Sequence, residues 1–547
     1  MMTDVPARVK PRPWDTMRSV RPWGRAAWGF GVLLLARIPL VVHAVPILGL
    51  LRGPLGWVLA ILSLLVLLGE TLRLPLPTLR PAQVFALALL YYLLLGLPYT
   101  GRIQPSGDEP HYLIMAQSLW REGDLDLRDN FAREDYREYL PGSDPLVPHY
   151  AAPRADGRPF PGHSPGLPVL LAPVYAGFHR QGCVVLMAIL AALVAALAFR
   201  LAEDMTSSNA ALAAWGAVVL PPLAFYSFHL YTEVPSALAL SLALLLLLGP
   251  PSVSKAALAG LLACALPWLH LKMAPAALAL ALVAAVRLRR GWPLTAFLGV
   301  ALFGAVAFGA YYDHVFGRPN PLGIYGGLPR DLSGSPVSGL LGLFLDRSFG
   351  LLPYAPVFLL AVAGLPFVLR RGEGRGGAHL LVLASVLAPV VGWRMWWGGQ
   401  CPPARFLVPA LPQLGVLLAC RVQRGERGLV RWIPALLLLG FSLSVFVVCH
   451  PDARLLLTHG DHPSRILEAL SGDVSLGRYL PSFVAGGEGE SRLGLLWLAA
   501  LGILLALDQA ALTSERVDRL FCGLGLPVGL VLGLGVLVDS WARSGAS

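Results

Sequence analysis

The chain has 547 residues, of which 56% are hydrophobic and only 14% are charged, and its mean hydropathy is +0.64. These values exclude an ordinary soluble globular protein. The formal net charge of +11 would suit a nucleic-acid partner, but the basic residues gather in short connections between apolar segments, at 8–25, 287–290, 370–375 and 421–431. This distribution follows the positive-inside rule of membrane proteins, so we expect no nucleic-acid partner.

Apolar runs of membrane length recur along the chain, and they lack the alternation that the strands of a membrane barrel would need. We therefore expect an all-α polytopic membrane protein, a bundle of about 13 to 15 transmembrane helices. The predicted spans are 27–48, 54–69, 82–98, 182–200, 210–226, 234–248, 256–269, 274–286, 293–312, 351–369, 379–396, 406–420, 432–449, 493–507 and 520–538.

The charged connections predict how these spans are oriented. If the N-terminus is cytoplasmic, alternation of the spans places every basic cluster on the cytoplasmic side. The long polar loops at 101–165, 313–349, 397–405 and 450–492 then all face away from the cytoplasm. The alternation of the predicted spans and the positions of the basic clusters therefore predict the same orientation.

The first outward loop begins with two adjacent carboxylates, Asp108 and Glu109, which follow span 82–98 directly. Charged groups this close to a bilayer are expensive, and they persist where they do chemistry or bind a cation. A structural explanation is also open, because acids just before Pro110 would cap the first turn of a helix. The two roles are compatible, since a cap would fix the direction of the carboxylate. His111 is a surface polar residue or a ligand.

The segment after Pro110 has the spacing of an amphipathic helix that ends near Gly123. One face is apolar, and its members are Tyr112, Leu113, Ala116, Leu119 and Trp120. The segment is too short and too polar to span, so we expect an amphipathic helix on the membrane surface. The acidic run at 124–138 is typical of a solvated face, and we assign it no chemistry.

Later outward-facing segments carry the cationic candidates. His270 and Lys272 lie in a hairpin tip between two short spans, Arg347 follows Asp346 in a second turn, and Arg405 ends an aromatic, glycine and proline turn. Glu233 stands at the start of a span. Each has a structural alternative: Lys272 could extend from a span end to the interface, Arg347 could pair with its neighbour, and Glu233 could be a helix-start acid.

Acids in one loop and Lys or Arg in several others suit a lipid-phosphate substrate. Guanidinium and ammonium groups pair with phosphate oxygens at a membrane surface. A carboxylate opposite them could deprotonate an acceptor hydroxyl while that hydroxyl attacks a phosphate-activated carbon. The sugar would then arrive on a lipid, with no soluble nucleotide needed on this face.

At this point the sequence resembles a known superfamily. The Asp108–Glu109 pair in the first large outward loop, the turn at 163–168, the Tyr231–Glu233 boundary, the tip at 267–272 and the arginines in outward turns are similar in order and topology to the GT-C superfamily of integral membrane glycosyltransferases. The protein O-mannosyltransferase and lipid A aminoarabinose transferase branches come closest. The resemblance covers roughly residues 82–420.

The resemblance implies a polyprenyl-phosphate-linked sugar donor, inversion at the anomeric carbon, and Asp108 as the base. Glu109 would assist it through orientation or cation binding. The donor phosphate would be held by Lys272, Arg347, Arg405 and His270. Two features depart from the superfamily pattern: two extra spans precede the acidic loop, and no multi-carboxylate metal constellation is recognisable. Metal dependence is therefore open, and Asp108 and Glu109 would be the ligands if a divalent ion is used.

We therefore expect three regions: a basic cytoplasmic N-terminus with two accessory spans (1–81), a catalytic core (82–420) that includes loop 101–165, and C-terminal spans (421–547) with loop 450–492. The expected protein is a glycosyltransferase of the bacterial inner membrane, with its site facing the periplasm or cell exterior. Its acceptor would be a hydroxyl on a lipid, glycan or protein.

Two other classes of function stay open. A transporter or flippase of lipid-linked sugars would also need cationic phosphate contacts, but it should show ionisable residues at mid-membrane depth or paired broken helices. A non-catalytic membrane scaffold would need no convergence of acids and cations.

Overall fold

The computed structural model describes residues 23–72, 78–151, 160–322, 332, 334–370, 374–450, 453–458, 464–484, 488–521 and 538. These residues are predominantly helical, and their only extended pairings are two isolated β-bridges, Tyr150 with Pro161 and Cys401 with Thr458. The expected all-α architecture is confirmed for this part of the chain.

The first half of the chain forms α1 (Trp23–Leu35), α2 (Pro39–Ala44), α3 (Pro54–Leu72), α4 (Pro81–Thr100), α5 (Glu109–Arg121), α6 (Arg128–Ala132), α7 (Gly166–Glu203), α8 (Ser208–Val219), α9 (Leu223–Tyr226), α10 (Glu233–Leu248) and α11 (Val253–Leu269). Many of these helices have a proline in the first turn, where its missing N–H has no helical partner to lose.

The second half forms α12 (Ala274–Leu288), α13 (Trp292–Phe316), α14 (Pro336–Leu345), α15 (Leu359–Leu369), α16 (Arg375–Val391), α17 (Leu411–Val422), α18 (Ile433–Cys449), α19 (Arg465–Leu470), α20 (Glu488–Ala511) and α21 (Glu515–Leu520). Short 3-10 turns precede several of them, including Leu271–Met273 before α12 and Arg405–Ala410 before α17. Both of these turns carry residues that were singled out in the sequence.

Seven helical segments within the described ranges are long and apolar enough to cross a membrane, judged by length and composition: Pro81–Thr100, Gly166–Glu203, Leu271–Leu288, Trp292–Phe316, Arg405–Val422, Gly428–Cys449 and Arg492–Ala511. Shorter apolar helices match further predicted spans: Ser208–Val219, Glu233–Leu248, Val253–Leu269, Pro356–Leu369 and Arg375–Val391. The apolar helix Pro336–Leu345 was not predicted, because it lies within the segment 313–349 that was expected to be a polar loop. The protein is therefore a multi-pass membrane protein, as predicted.

The N-terminal region differs from the prediction of one span over 27–48. The helix α1 ends at Leu35, and the chain continues as α2 and a 3-10 turn, Pro46–Arg52. Prolines at 39 and 46 interrupt the helix because they lack the N–H that a helix interior needs. The last predicted span, 520–538, lies almost wholly outside the described residues.

The helix α5 is where predicted, but it does not lie on a surface. All residues from Glu109 to Ser118 are buried, including the polar Gln117 and Ser118. The Gln117 amide donates to Glu138 at 3.0 Å, and the Ser118 hydroxyl donates to the Asp124 carbonyl at 2.9 Å. The expected surface placement is wrong because the loop that follows satisfies the polar face within the protein.

The core that supports the outward loops is built around α7 and α17. The helix α17 is enclosed, since every residue from Leu411 to Arg421 is buried. The helix α7 packs against α4, α5, α8, α10 and α17. A non-helical backbone at His179 divides α7 into a shorter segment beside the acidic loop and a longer apolar segment.

Candidate active site

A cavity of about 600 Å³ opens where the first outward loop meets the hairpin tip before α12 and the turn before α17. Five of the predicted site residues line it: Asp108, His111, His270, Lys272 and Arg405. They come from segments up to 297 positions apart in the sequence. The fold therefore brings the acidic loop and two of the three cationic candidates to one place.

A continuous chain of ion pairs joins the charged residues of this cavity. The Arg405 Nη2 donates to Asp108 Oδ2 at 2.6 Å, and the Arg405 Nε donates to Glu233 Oε1 at 2.9 Å. The same Glu233 oxygen accepts from Lys272 Nζ at 2.6 Å. We call these four residues the charge cluster. Two carboxylates and two cations make its formal charge zero.

The four side chains of the charge cluster differ in how deeply they are buried. The side chain of Glu233 is fully buried and that of Arg405 is 6% exposed, whereas Lys272 is 13% and Asp108 is 24% exposed. Burying ions costs several kcal/mol each, so buried pairs are a poor means of stabilising a fold. Their position at the wall of a cavity favours a functional use of the charges.

Backbone and aromatic contacts fix the direction of both cations. The Arg405 Nη1 donates to the Gly398 carbonyl at 2.8 Å, and its guanidinium lies 4.4 Å from the centre of the Tyr231 ring. The Lys272 ammonium lies 3.9 Å from the centre of the Phe406 ring. Aromatic faces attract cations without neutralising them. The cations are thus held in place while they remain able to attract an anion.

Gly107 lets the acidic loop approach the turn before α17. Its φ is +61°, and an added Cβ would lie 2.5 Å from the Gln400 carbonyl oxygen and 2.6 Å from the Tyr231 hydroxyl. That hydroxyl donates to the same carbonyl at 3.2 Å. Only glycine fits both the backbone conformation and the space, so Gly107 sets where Asp108 stands.

The charges around Asp108 set its protonation. Burial alone would raise the pKa of the Asp108 carboxyl. The Arg405 guanidinium, with smaller contributions from His163 and His111, outweighs burial and holds that pKa well below its usual value. Burial, with His149 and His163 close by, lowers the pKa of His111 to about 3. At neutral pH Asp108 is therefore ionised and His111 is neutral. While it is paired with Arg405, Asp108 is a weak proton acceptor.

Glu109 and Arg347 do not join the charge cluster. The buried Glu109 accepts backbone N–H groups, from Ser106 at 3.1 Å and from Leu230 at 2.9 Å, so it anchors the loop beside Asp108. Arg347 donates to carbonyls of the 450–492 loop. Its neighbour Leu345 lines a second, largely apolar cavity of about 820 Å³.

His270 lines the cavity, and its Nδ1 accepts the backbone N–H of Lys272 at 3.2 Å, which shapes the turn that presents the lysine. Glu233 was one candidate among several in the sequence, yet it is the residue that holds both cations. Its position at a span start carried no signal for that role, because both partners come from distant segments.

The residues available to a metal ion are not those expected. Asp108 is paired with Arg405, and Glu109 accepts the backbone N–H groups of Ser106 and Leu230, so both carboxylates already have partners. In contrast, ring nitrogens of His111, His149 and His163 all lie within 4.8 Å of one another. No pattern in the sequence distinguishes His149, and His163 was predicted only as part of a turn.

No protein-family model and no curated protein matches this sequence. Solved structures do. ArnT from Cupriavidus metallidurans aligns in its apo state over 83% of this chain and 75% of its own, with TM-score 0.45 and 14% identity. ArnT bound to undecaprenyl phosphate aligns over 84% and 76%, with TM-score 0.46 and 14% identity.

The oligosaccharyltransferase of Archaeoglobus fulgidus in its apo form aligns over 73% of this chain and 57% of its own, with TM-score 0.38 and 14% identity. ArnT and this oligosaccharyltransferase are both members of the GT-C superfamily.

Proposed function

We propose that the protein is a membrane glycosyltransferase that moves a sugar from a polyprenyl-phosphate donor to a hydroxyl group on a lipid, glycan or protein acceptor. The observation that carries this proposal is the charge cluster, in which an accessible carboxylate and two fixed cations share one cavity wall. Acceptor activation and phosphate binding need those two kinds of group side by side.

In this proposal Lys272 and Arg405 bind the donor phosphate. Both cations are already oriented by Glu233, so little side-chain entropy is lost when the phosphate arrives. The phosphate oxygens would compete with Asp108 for the Arg405 guanidinium. As that ion pair weakens, the pKa of Asp108 would rise toward its usual value, and Asp108 would become a better base. Donor binding would therefore activate the base.

The transfer step needs no further reactant. The acceptor oxygen attacks the anomeric carbon from the side opposite the phosphate, and its proton passes to Asp108. The bond between the anomeric carbon and the phosphate oxygen breaks, and its electron pair leaves with the polyprenyl phosphate. Lys272 and Arg405 stabilise the additional negative charge on that phosphate. Attack from the opposite side inverts the anomeric configuration.

The other predicted residues would act by positioning. Glu233 orients both cations, His270 shapes the turn that carries Lys272, and Glu109 anchors the loop that carries Asp108. We also propose that the protein resides in a bacterial inner membrane with this cavity facing the periplasm or the cell exterior. The positive-inside distribution of the basic connections supports that orientation.

The Asp108→Asn variant tests the proposed function. Full-length protein in detergent would be given radiolabelled polyprenyl-phosphate sugars and candidate acceptors, and transfer and donor binding would be measured separately. We expect transfer to fall about 10²–10⁴-fold, as for loss of a general base, while donor binding is retained. Asp129→Asn is the matched control, because Asp129 is an exposed acid of the same loop that pairs with Arg133.

Full transfer activity in Asp108→Asn would contradict the catalytic role. If no donor and acceptor pair gives product with wild-type protein, but labelled lipid-linked sugar crosses proteoliposome membranes, the flippase alternative replaces the enzyme.

A further inference from the structure

We propose that His111, His149 and His163 form a binding site for a divalent transition-metal ion of the zinc type. This triad lines the same cavity as Asp108. Metal binding by the triad does not depend on the proposed transfer reaction, so it can be tested without a sugar donor or an acceptor.

The three histidines are held together by the fold of the first outward loop. His111 lies in the first turn of α5 and is buried. His149 and His163 flank a short antiparallel pairing, in which Ala151 N–H donates to the Phe160 carbonyl at 2.8 Å. Gly162 N–H donates to the His149 carbonyl, also at 2.8 Å. Backbone hydrogen bonds therefore place the last two rings beside each other.

The distances between the rings suit a metal site after small side-chain rotations. His149 Nδ1 and His163 Nε2 are 3.3 Å apart, and one nitrogen from each of the three rings lies within 4.8 Å of the others. Nitrogen ligands at about 2.0–2.1 Å from a tetrahedral zinc ion are about 3.3 Å from one another. The His111 ring now stacks on the His149 ring with centres 3.8 Å apart, so one of these two must turn. His149 is exposed and has room to do so.

The donor set indicates which ions would bind. Three imidazole side chains at the wall of an open cavity suit Zn²⁺ and its substitute Co²⁺. Mg²⁺ and Ca²⁺ prefer oxygen ligands, and the nearest carboxylate, Asp108, is engaged by Arg405. We therefore expect selectivity for zinc over magnesium.

A cation here would complement the charge cluster, whose formal charge is zero. A phosphate entering the cavity would bring negative charge that the cluster does not balance. A divalent ion held by the three histidines would supply that balance next to Asp108. This consequence, unlike the binding itself, rests on the proposed function.

Metal content of the purified protein tests the proposal. Full-length protein without a polyhistidine tag would be stripped with a chelator, incubated with Zn²⁺, desalted and analysed by mass spectrometry. We expect about one zinc ion to be retained per chain. Protein incubated with Mg²⁺ instead should retain no magnesium. The Co²⁺-loaded protein should show the visible absorption of a tetrahedral site.

His149→Gln and His163→Gln should each reduce zinc retention at least about tenfold, because a three-ligand site loses one ligand. His149 is exposed, so His149→Gln should keep the elution profile and thermal midpoint of the wild type. His179→Gln is the matched control, since His179 is an exposed histidine that pairs with Glu138 near the same loop. It should retain zinc fully.

Wild-type protein that retains no zinc, or undiminished zinc in the folded His149→Gln and His163→Gln variants, would overturn the proposal. In that case the three rings only pack together and hydrogen-bond within the loop. Loss of zinc with unchanged sugar transfer would support the site and leave the proposed function intact.

Discussion

The segment Arg405–Val422 carries a buried arginine at each end, and the two differ in access. Arg405 lines a cavity and divides its donors between Asp108 and Glu233. Arg421 is sealed, because both it and its partner Asp508 have no exposed side-chain surface. Arg421 binds both oxygens of Asp508, from Nε at 2.6 Å and from Nη2 at 2.7 Å.

Burial of an ion pair does not by itself mark a functional site. The Arg421 pair joins α17 to α20, and Asp508 also accepts the Leu429 N–H at 2.8 Å, so its partners all belong to the fold. The Arg405 pair includes Asp108, a half-buried carboxylate at a cavity wall. Only the second arrangement leaves a charged group that a ligand can reach. Variants of the two arginines test this difference directly, and variants of Gly107 and Arg133 test the loop that carries Asp108.

The largest effect is expected at the sealed pair. Arg421→Met leaves Asp508 buried without its cation, so the free energy of unfolding should fall by about 3–5 kcal/mol. The double variant Arg421→Met, Asp508→Leu should recover most of that loss, because no unpaired charge remains. Denaturant or thermal unfolding in detergent measures both. The exposed Arg424→Met is the control, and its loss should stay near 0.5 kcal/mol from the contact with Phe367.

At the cavity, Arg405→Lys should reduce sugar transfer about 10–100-fold, because an ammonium cannot bridge Asp108 and Glu233 as a guanidinium fork does. The total charge is unchanged, so the unfolding midpoint should move much less than in Arg421→Met. A transfer assay checks the first expectation. Arg128→Lys, at an exposed arginine of the outward loop, is the control and should be as active as the wild type.

Gly107→Ala tests how closely the acidic loop must approach the turn before α17. The new Cβ would meet the Gln400 carbonyl at 2.5 Å, and φ is positive, so unfolding free energy should drop by about 1–3 kcal/mol. Gly123→Ala is matched in φ, at +79°, but meets nothing within 4 Å, so it should cost less. Equal losses in the two variants would show that the close approach is unimportant.

The smallest effect is expected in the exposed loop. Arg133 pairs with Glu122, Asp129 and Asp135, but it is 48% exposed and screened by solvent. Arg133→Ala should therefore leave both the unfolding midpoint and sugar transfer unchanged. A marked loss of activity would show that this acidic loop takes part in function, contrary to the expectation that it is only a solvated face.

Several features of the site could be predicted from the sequence because they depend on local pattern. Asp108 follows a membrane span and precedes a helix, and Lys272 and Arg405 lie in short turns between apolar segments. Span order and charge then place all three on one side of the membrane. Other predictions were wrong for a physical reason. The burial of α5 depends on how α7 and the 124–138 loop pack against it, and hydrophobic periodicity does not report on such tertiary contacts.

The sequence alone determined the membrane class, the helical architecture and the kind of charge that each loop carries, since these follow from hydrophobicity, proline positions and the charged residues of each connection. Only the tertiary structure decided which charges meet. It placed Glu233 between Lys272 and Arg405, paired Glu109 with backbone N–H groups, bound Arg347 to carbonyls of the 450–492 loop and assembled three histidines. These contacts depend on the packing of separate segments, which lie up to 297 residues apart for Arg405 and Asp108. No local pattern encodes that packing.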